Sequence, residues 1–563
     1  MKAQLKFVLL AAFLLFLAFY FSSFNRSLLI DEWYWVKSAQ GIAQGGLPVY
    51  YQGENNPAQI AVGHPPLYNY LLSLVFFFFE DAKNAQLLGL LAVVAVCALM
   101  ALTCRHLFKE KWKEAAFFSV LLYLLSPLTV QGATLVDPDA VTLPVLLLLF
   151  FYAYLKVKDS RLSSAQKSLA VGVFFALLLW SKFQGALLLA FLIAFHVLAR
   201  KDLKSAGRDA ASFALGWALF LATWTAYTTL TGLPFSLSFE HNLSSGVFGF
   251  KASKLLVGLG VFRNLLYWVS PFLLLGFAVV LKDSLKGIWK RHEAVDWPPA
   301  LLLFFGFASM LYFYLGIGTS GVPKYFLSIT PLALLAFSGL AARSGLFELL
   351  ARQKFAFSAL GLLSFLFFTA LGDPLLSGVP LRAIASSQDA LSGVVAHDAF
   401  YLTSYFFALA LCFFLVRRLT PTAGKGMLLV ACLFIASLSY SVSLNLLQAL
   451  APYSKVYFYG ETQLGSTLDF MQSQKFKALA SPYDFAFLLE ERTGNNVEFY
   501  EEGILFARPG TAGSFEVPLE VSHVVLRKGF FHVPKYDLRA KLAASGFELA
   551  YENKDFEVHA RAV

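Results

Sequence analysis

The chain has 563 residues, 58% hydrophobic and 14% charged, with a mean hydropathy of +0.64. A soluble domain carries about a quarter charged residues, so a soluble enzyme is excluded and the chain reads as a polytopic α-helical membrane protein. The net charge of +10 does not point to nucleic acid, because the basic residues fall in short clusters between apolar spans, as the positive-inside rule requires.

Met1 to about Ser22 places Lys2 and Lys6 before a long apolar run. No small-x-small cleavage site precedes Asn25 and Arg26, so this segment reads as an uncleaved first helix starting in the cytoplasm. The stretch from Ile30 to Leu72 then emerges at a membrane surface. It contains Asp31-Glu32, an amphipathic segment with Trp33, Val36, Ala39 and Gln40, a turn at Gly45, Gly46 and Pro48, and His64-Pro65-Pro66-Leu67-Tyr68. Carboxylates this close to a bilayer are costly unless they are used or paired. Leu71 to Phe79 is apolar but too short to span, and is expected along the interface.

Residues 84–107 cross inward to Arg105, Lys109, Lys111 and Lys113. Residues 114–131 cross outward and 141–155 inward, which leaves Leu135-Val136-Asp137-Pro138-Asp139 outside. The run 168–199 would be about 48 Å long as one helix, too long for a single crossing of a ~30 Å core. Two helices meeting at Ser181-Lys182-Phe183-Gln184-Gly185 fit better. Further spans are expected at 211–230, 264–281, 300–317, 326–341, 355–371, 399–416 and 427–449. The alternation of basic loops gives about thirteen spans. The expected active-site outer loops are 25–70, 132–140, 231–263 and 318–325.

The transmembrane domain is thus 1–450, and 451–563 has the composition of a soluble domain. Val456–Tyr459, Ala478–Ala480, Val497–Tyr500, His523–Leu526 and Phe547–Tyr551 read as strands, and Thr462–Gln474, Asp484–Thr493 and Lys535–Ser545 as helices. This predicts a small α/β domain, outside the cytoplasm if the number of spans is odd. Cys97, Cys104, Cys412 and Cys432 lie in or at the ends of apolar spans, which argues against a disulfide framework.

Several polar features fall on the expected outer side. Asp31-Glu32 is either the capped first turn of an interfacial helix or a catalytic pair in which Asp31 takes a proton from an attacking hydroxyl. Asp137 and Asp139 either start a helix, or orient a base or bind a divalent cation. Lys182 either snorkels or awaits an anion. His64, Glu240 and His241 are candidate ligands of zinc, with magnesium or manganese as other candidate cations. Arg263, Lys324 and Tyr325 sit where outer loops meet helix starts, as interfacial anchors or as ligands of a phosphate. Acids and cations converging at one membrane face fit transfer of a group from a lipid phosphate, with the cations offsetting the charge that develops on it.

These motifs resemble the membrane glycosyltransferases that use polyprenyl-phosphate sugars, the GT-C group that includes protein O-mannosyltransferases and lipid A aminoarabinose transferases. The matching features are Asp31-Glu32, Gly45 to Pro48, His64-Pro65-Pro66-Leu67, Val136-Asp137-Pro138, Lys182 with Gly185, Glu240-His241, and Pro323-Lys324-Tyr325 running to Pro331. The resemblance implies a catalytic base at Asp31, a second site acid at Asp137, and Lys182, His64 and Tyr325 facing a donor phosphate. It implies a polyprenyl-phosphate-linked sugar donor, a hydroxyl acceptor on a lipid, glycan or protein, and a place in the inner (cytoplasmic) membrane with the site on its outer face. The chain departs from the aminoarabinose branch at Tyr34 and at Gly63-His64. The rival reading is a lipid-linked sugar carrier without chemistry; carriers show paired inverted halves, and the acids here gather at one face instead.

Overall fold

The structure is a computed structural model of the full chain. It describes residues 2–24, 28, 31–50, 59–60, 64–200, 203–236, 262–263, 265–291, 296–315, 323–374, 388–420, 424–450, 464–476, 478–481, 483–493, 497, 499–501, 517, 519–527, 538–553 and 556–561. The chain forms two compact units. The first comprises Met1–Phe24, Gly63–Tyr68 and Gln86–Ala451, and the second Asn25–Val62, Asn69–Ala85 and Pro452–Val563.

The helices up to residue 231 are α1 (Lys2–Phe24), α2 (Asp31–Gly45), α3 (Leu67–Phe76), α4 (Leu87–Phe108), α5 (Trp112–Leu125), α6 (Pro127–Ala133), α7 (Thr142–Asp159), α8 (Ser164–Ser181), α9 (Phe183–Arg200) and α10 (Leu203–Thr231). Among the described residues, seven helical stretches are long and apolar enough to cross a bilayer, or eight if the bent pair Thr330–Arg343 and Leu346–Arg352 is one span. The protein is therefore a multi-pass membrane protein. Large apolar side chains of α1 such as Phe7, Leu14 and Phe21 are exposed, which a lipid environment favours because hydrocarbon solvates them and the helix satisfies its own backbone.

Local chemistry sets the helix ends of the first unit. α4 reverses into α5 through Lys109, whose φ is 39°, and Cys104 Sγ comes within 3.7 Å of Ser119 Oγ. Pro127 lacks an N–H, so it ends α5 and opens α6 at the position where no bond is lost. The α8 start is a capping box: Ser163 Oγ accepts from the Gln166 backbone N–H, and the Gln166 side chain accepts from the Ser163 N–H. α8 and α9 are separated by one extended residue, Lys182, with φ −168° and ψ 129°.

Close backbone approaches fix the packing. A Cβ on Gly89 of α4 would lie 2.0 Å from the Ala133 carbonyl oxygen of α6. A Cβ on Gly216 of α10 would lie 2.7 Å from the Gly172 carbonyl oxygen of α8. The helix Lys425–Leu450 is buried along most of its length, and its Asn445 side-chain amide donates to the Leu125 carbonyl at the end of α5 at 2.8 Å. Rings of Phe272, Phe368, Tyr405 and Tyr440 pack with centroids 5.2–6.1 Å apart. Gly89→Ala should lower the thermal midpoint by the equivalent of about 1–3 kcal/mol, because the obstacle is backbone and α6 must move. Gly132→Ala should cost less, since its Cβ would meet only the flexible Leu327 side chain. Thermal inactivation of the two variants in detergent checks the order.

The second unit holds a five-stranded sheet of order β4-β3-β5-β7-β6, after a short antiparallel pair, β1 (Val49–Tyr50) and β2 (Gln59–Ile60). Its strands are β3 (Ala478–Ser481), β4 (Phe499–Glu501), β5 (Val521–Arg527), β6 (Phe547–Glu552) and β7 (Phe556–Arg561). β3 pairs in parallel with β4 and β5, whereas β7 is antiparallel to β5 and β6. The helices Leu464–Ser473, Tyr483–Thr493 and Leu538–Ala544 alternate with these strands, and Ala480, Val521, Val524, Leu542 and Phe547 form the core. The expected strand Val456–Tyr459 lies outside the described residues. β7 is not among the expected strands, although its run, FEVHAR, alternates apolar and polar residues; its first four residues are buried on both faces, and the buried polar ones are paired. Arg539 donates to Glu557 at 2.6 and 3.0 Å, and His559 Nε2 lies 3.2 Å from the same carboxylate.

Burial alone would raise the Glu557 carboxyl, but the hydrogen bonds and charges of His559 and Arg539 bring it down to about 2. A carboxyl held low contributes stability that is present above its unfolded value near 4.5 and is lost as pH falls to 2. Glu557→Gln should therefore lower the calorimetric unfolding temperature of this unit at pH 7. The gap to wild type should close as pH falls from 4.5 toward 2.

In the same unit α2 packs on helix Tyr483–Thr493, where Lys37 Nζ stands 3.9 Å from Glu490. Asn69 donates to Ser38 Oγ at 2.6 Å, and both residues are fully buried. Tyr70 OH donates to the Gly46 carbonyl at 3.1 Å. Trp33, Trp35, Val36, Ala39 and Ile42 make the buried face of α2, so the amphipathic pattern of this segment is real and Trp35 belongs to it.

Candidate active site

In the first unit, five of the residues singled out by sequence come together: Asp137, Asp139, Lys182, Lys324 and Tyr325. Asp137 and Asp139 lie in the turn between α6 and α7. The Asp137 Oδ1 accepts from the Asp139 backbone N–H at 2.8 Å, and the Asp137 carbonyl accepts from the N–H groups of Ala140 and Val141 at 3.1 Å. This is the side-chain-to-backbone closure for which aspartate is favoured in turns. The second oxygen, Oδ2, is left for Lys324, whose Nζ stands 2.6 Å away. Asp137 thus closes the turn with one oxygen and pairs with Lys324 through the other.

Asp139 is gripped by Lys182, with Nζ 2.7 Å from both carboxylate oxygens. The extended backbone at Lys182 interrupts the apolar face that α8 and α9 would otherwise continue. The next turn needs glycine, since a Cβ on Gly185 would sit 2.2 Å from the Leu143 side chain of α7. Ser181 Oγ donates to Thr142 Oγ1 at 3.0 Å and ties the end of α8 to the start of α7 beside this pair. Lys324 is carried by the tight turn Pro323–Leu327, which packs on α6.

Tyr325 joins the two ion pairs. Its ring centroid is 5.4 Å from Lys182 Nζ and 5.6 Å from Lys324 Nζ, within cation–π range of both. Burial pushes the Tyr325 hydroxyl up, against the pull of the two lysines. All four charged side chains are below a tenth exposed. Two buried cations thus face two buried anions, a balanced cluster in which each group depends on its partner for solvation.

The remaining candidates lie elsewhere or outside the description. Arg263 pairs with Asp398, with Nε 2.8 and 2.9 Å from the two oxygens. Tyr267 OH donates to the same carboxylate at 3.1 Å, as close as His397 Nδ1 comes to it. Asp398 and its neighbours were missed because the partner stands 135 positions away from Arg263 and no local pattern marks it. His64 sits in the bend before α3 and is half-buried. Asp31 and Glu32 are the first residues of α2, in the second unit. Glu32 is fully buried, and the side chain of Asp31 lies outside the described residues. Glu240 and His241 also lie outside them, and among the described residues no three His, Cys, Asp or Glu side chains gather as a metal site.

Residues 63–226 match the model of the dolichyl-phosphate-mannose-protein mannosyltransferase family. That stretch contains Asp137, Asp139 and Lys182. No curated protein matches the chain in sequence. Among solved structures, the crystal structure of ArnT from Cupriavidus metallidurans bound to undecaprenyl phosphate superposes with a TM-score of 0.57 at 14% identity, covering 100% of this chain and 98% of that one. The apo structure of the same protein gives 0.57 and 14%, over 99% and 98% of the two chains. The resemblance to GT-C glycosyltransferases read from the motifs therefore stands.

Proposed function

We propose that this protein moves a sugar from a polyprenyl phosphate to a hydroxyl acceptor on the outer face of the cytoplasmic membrane. The observation that carries this reading is the buried Asp137–Lys324 and Asp139–Lys182 pairs gathered over Tyr325, in a fold like that of a protein solved with undecaprenyl phosphate. The acceptor is a lipid, a glycan or a protein. About thirteen crossings, counted from the alternating basic loops, would put the acids and the C-terminal α/β domain on the extracytoplasmic side.

In the proposed step, the acceptor oxygen attacks the anomeric carbon from the side opposite the phosphate, and the carbon–oxygen bond to phosphate breaks. Configuration inverts. The acceptor proton passes to Asp31, which acts as base with Glu32 beside it in sequence. The electron pair leaves on polyprenyl phosphate, and the lysines offset its added charge in a site of low dielectric. Asp137 and Asp139 hold the two lysines in place. Tyr325 and His64 are further phosphate ligands in this proposal. A divalent cation held by His64, Glu240 and His241 is a separable part of it, and turnover that survives EDTA unchanged removes that part.

Purified protein given a labelled polyprenyl-phosphate sugar and an acceptor-containing lipid extract should release free polyprenyl phosphate in step with sugar transfer. A carrier would move the labelled lipid and release none.

A further inference from the structure

Helices α7, α8 and α10 enclose a cavity at the ends remote from the aspartate–lysine cluster. α7 starts beside Asp139 and α8 ends beside Lys182; each is 18 residues long, so their far ends lie about 27 Å from the cluster, near one bilayer thickness. The cavity measures about 260 Å³. Its charged lining is Lys158, Lys167, Arg208 and Asp209, three cations to one carboxylate. Tyr154 OH donates to Asp209 Oδ2 at 2.9 Å, and Lys158 Nζ donates to that phenol oxygen at 3.1 Å. Lys167 Nζ donates to the Lys158 carbonyl at 2.9 Å, which holds its ammonium at the rim. Ser164, Ser168 and Ser212 complete the lining, with the Ser212 hydroxyl donating to the Arg208 carbonyl at 2.8 Å.

This wall is built rather than incidental. The Gly172–Gly216 contact brings α8 against α10, and the Ser163–Gln166 capping box fixes where α8 begins. Surplus positive charge, serine hydroxyls and enough volume for a headgroup match one chemistry, a phosphate ester. The proposed transfer does not use these residues. We propose that this cavity binds a phosphate group at the membrane face opposite the aspartate–lysine cluster. Its two possible sources are an anionic phospholipid headgroup and a soluble phosphate. Basic pockets between membrane helices hold anionic headgroups in this way.

The test uses the full chain in neutral detergent and compares wild type, Lys167→Gln/Arg208→Gln, and a control, Lys156→Gln/Arg161→Gln. The control removes as much exposed positive charge from the same face but does not line the cavity. Native mass spectrometry measures retention of added phosphatidylglycerol against phosphatidylcholine. A parallel arm follows thermal protection by inorganic phosphate and glycerol phosphate. Wild type and control should prefer phosphatidylglycerol, and the cavity variant should bind it about tenfold or more weakly with an unchanged melting temperature in the absence of ligand. Protection by soluble phosphates, lost in the cavity variant alone, would support the site and assign the soluble source. Equal retention by all three proteins, or equal loss in control and cavity variant, overturns the proposal.

Discussion

Lys182→Met should destabilise the protein by about 3–5 kcal/mol, because it leaves a buried carboxylate without its cation. Asp139 is 1% exposed and has Nζ of Lys182 2.7 Å from both oxygens, so water cannot take the place of the lysine without opening the turn between α6 and α7. Adding Asp139→Asn removes the stranded charge. The double variant should therefore return to within about 1 kcal/mol of wild type, since a neutral pair of similar size replaces a buried ion pair at little cost. Turnover should behave differently. If Lys182 serves the phosphate and Asp139 serves Lys182, sugar transfer stays lost in the double variant while stability returns. Thermal unfolding and transfer assays on the same samples separate the two effects. A single variant as stable as wild type would mean that the pair is solvated, and restored transfer in the double variant would reduce Lys182 to a structural role.

Asp31→Asn should lower turnover by about 10²–10⁴-fold, the usual contribution of a positioned base, and leave donor affinity within about twofold. Asparagine keeps the shape and the hydrogen-bonding capacity of the first turn of α2 but cannot accept the acceptor's proton. The capping reading of Asp31 gives the opposite pattern. On that reading Asp31→Asn is nearly silent, because asparagine caps a helix about as well as aspartate, and Asp31→Ala costs about 1 kcal/mol of stability. Steady-state transfer at saturating donor, with a parallel melting curve, distinguishes the two.

Much of this arrangement was legible from the chain. The run 168–199 exceeds one bilayer crossing, and a lysine inside it had to mark the break; the break is at Lys182. The sequence sets Asp137-Pro138-Asp139 between two apolar runs, and the segment lies between α6 and α7. Which cation meets which acid was not legible. Asp139 finds Lys182 43 positions away and Asp137 finds Lys324 187 positions away, and hydropathy carries no record of such pairings. Arg263 was grouped with the phosphate cations by its place in an outer loop, yet it pairs with Asp398 through contacts that only the packed helices bring together. β7 carries the alternating apolar–polar run of a strand, FEVHAR, but alternation alone would send Glu557 and His559 to solvent; they are buried instead, and the partner Arg539 comes from a separate helix. Gly89 looks like any glycine in an apolar helix until Ala133 is seen against it.

The central claim is that the buried lysines receive a lipid phosphate. It is tested most directly by measuring the affinity of the purified protein for undecaprenyl phosphate in wild type and in two charge-neutral variants, Lys182→Met/Asp139→Asn and Lys324→Met/Asp137→Asn. Each variant removes one buried pair whole, so neither strands a charge. The expected result is near-wild-type melting with affinity weakened about tenfold or more in each, the size of one lost charge-assisted contact. Wild-type affinity in both variants would contradict it, and would leave the cluster as a scaffold for the turn between α6 and α7.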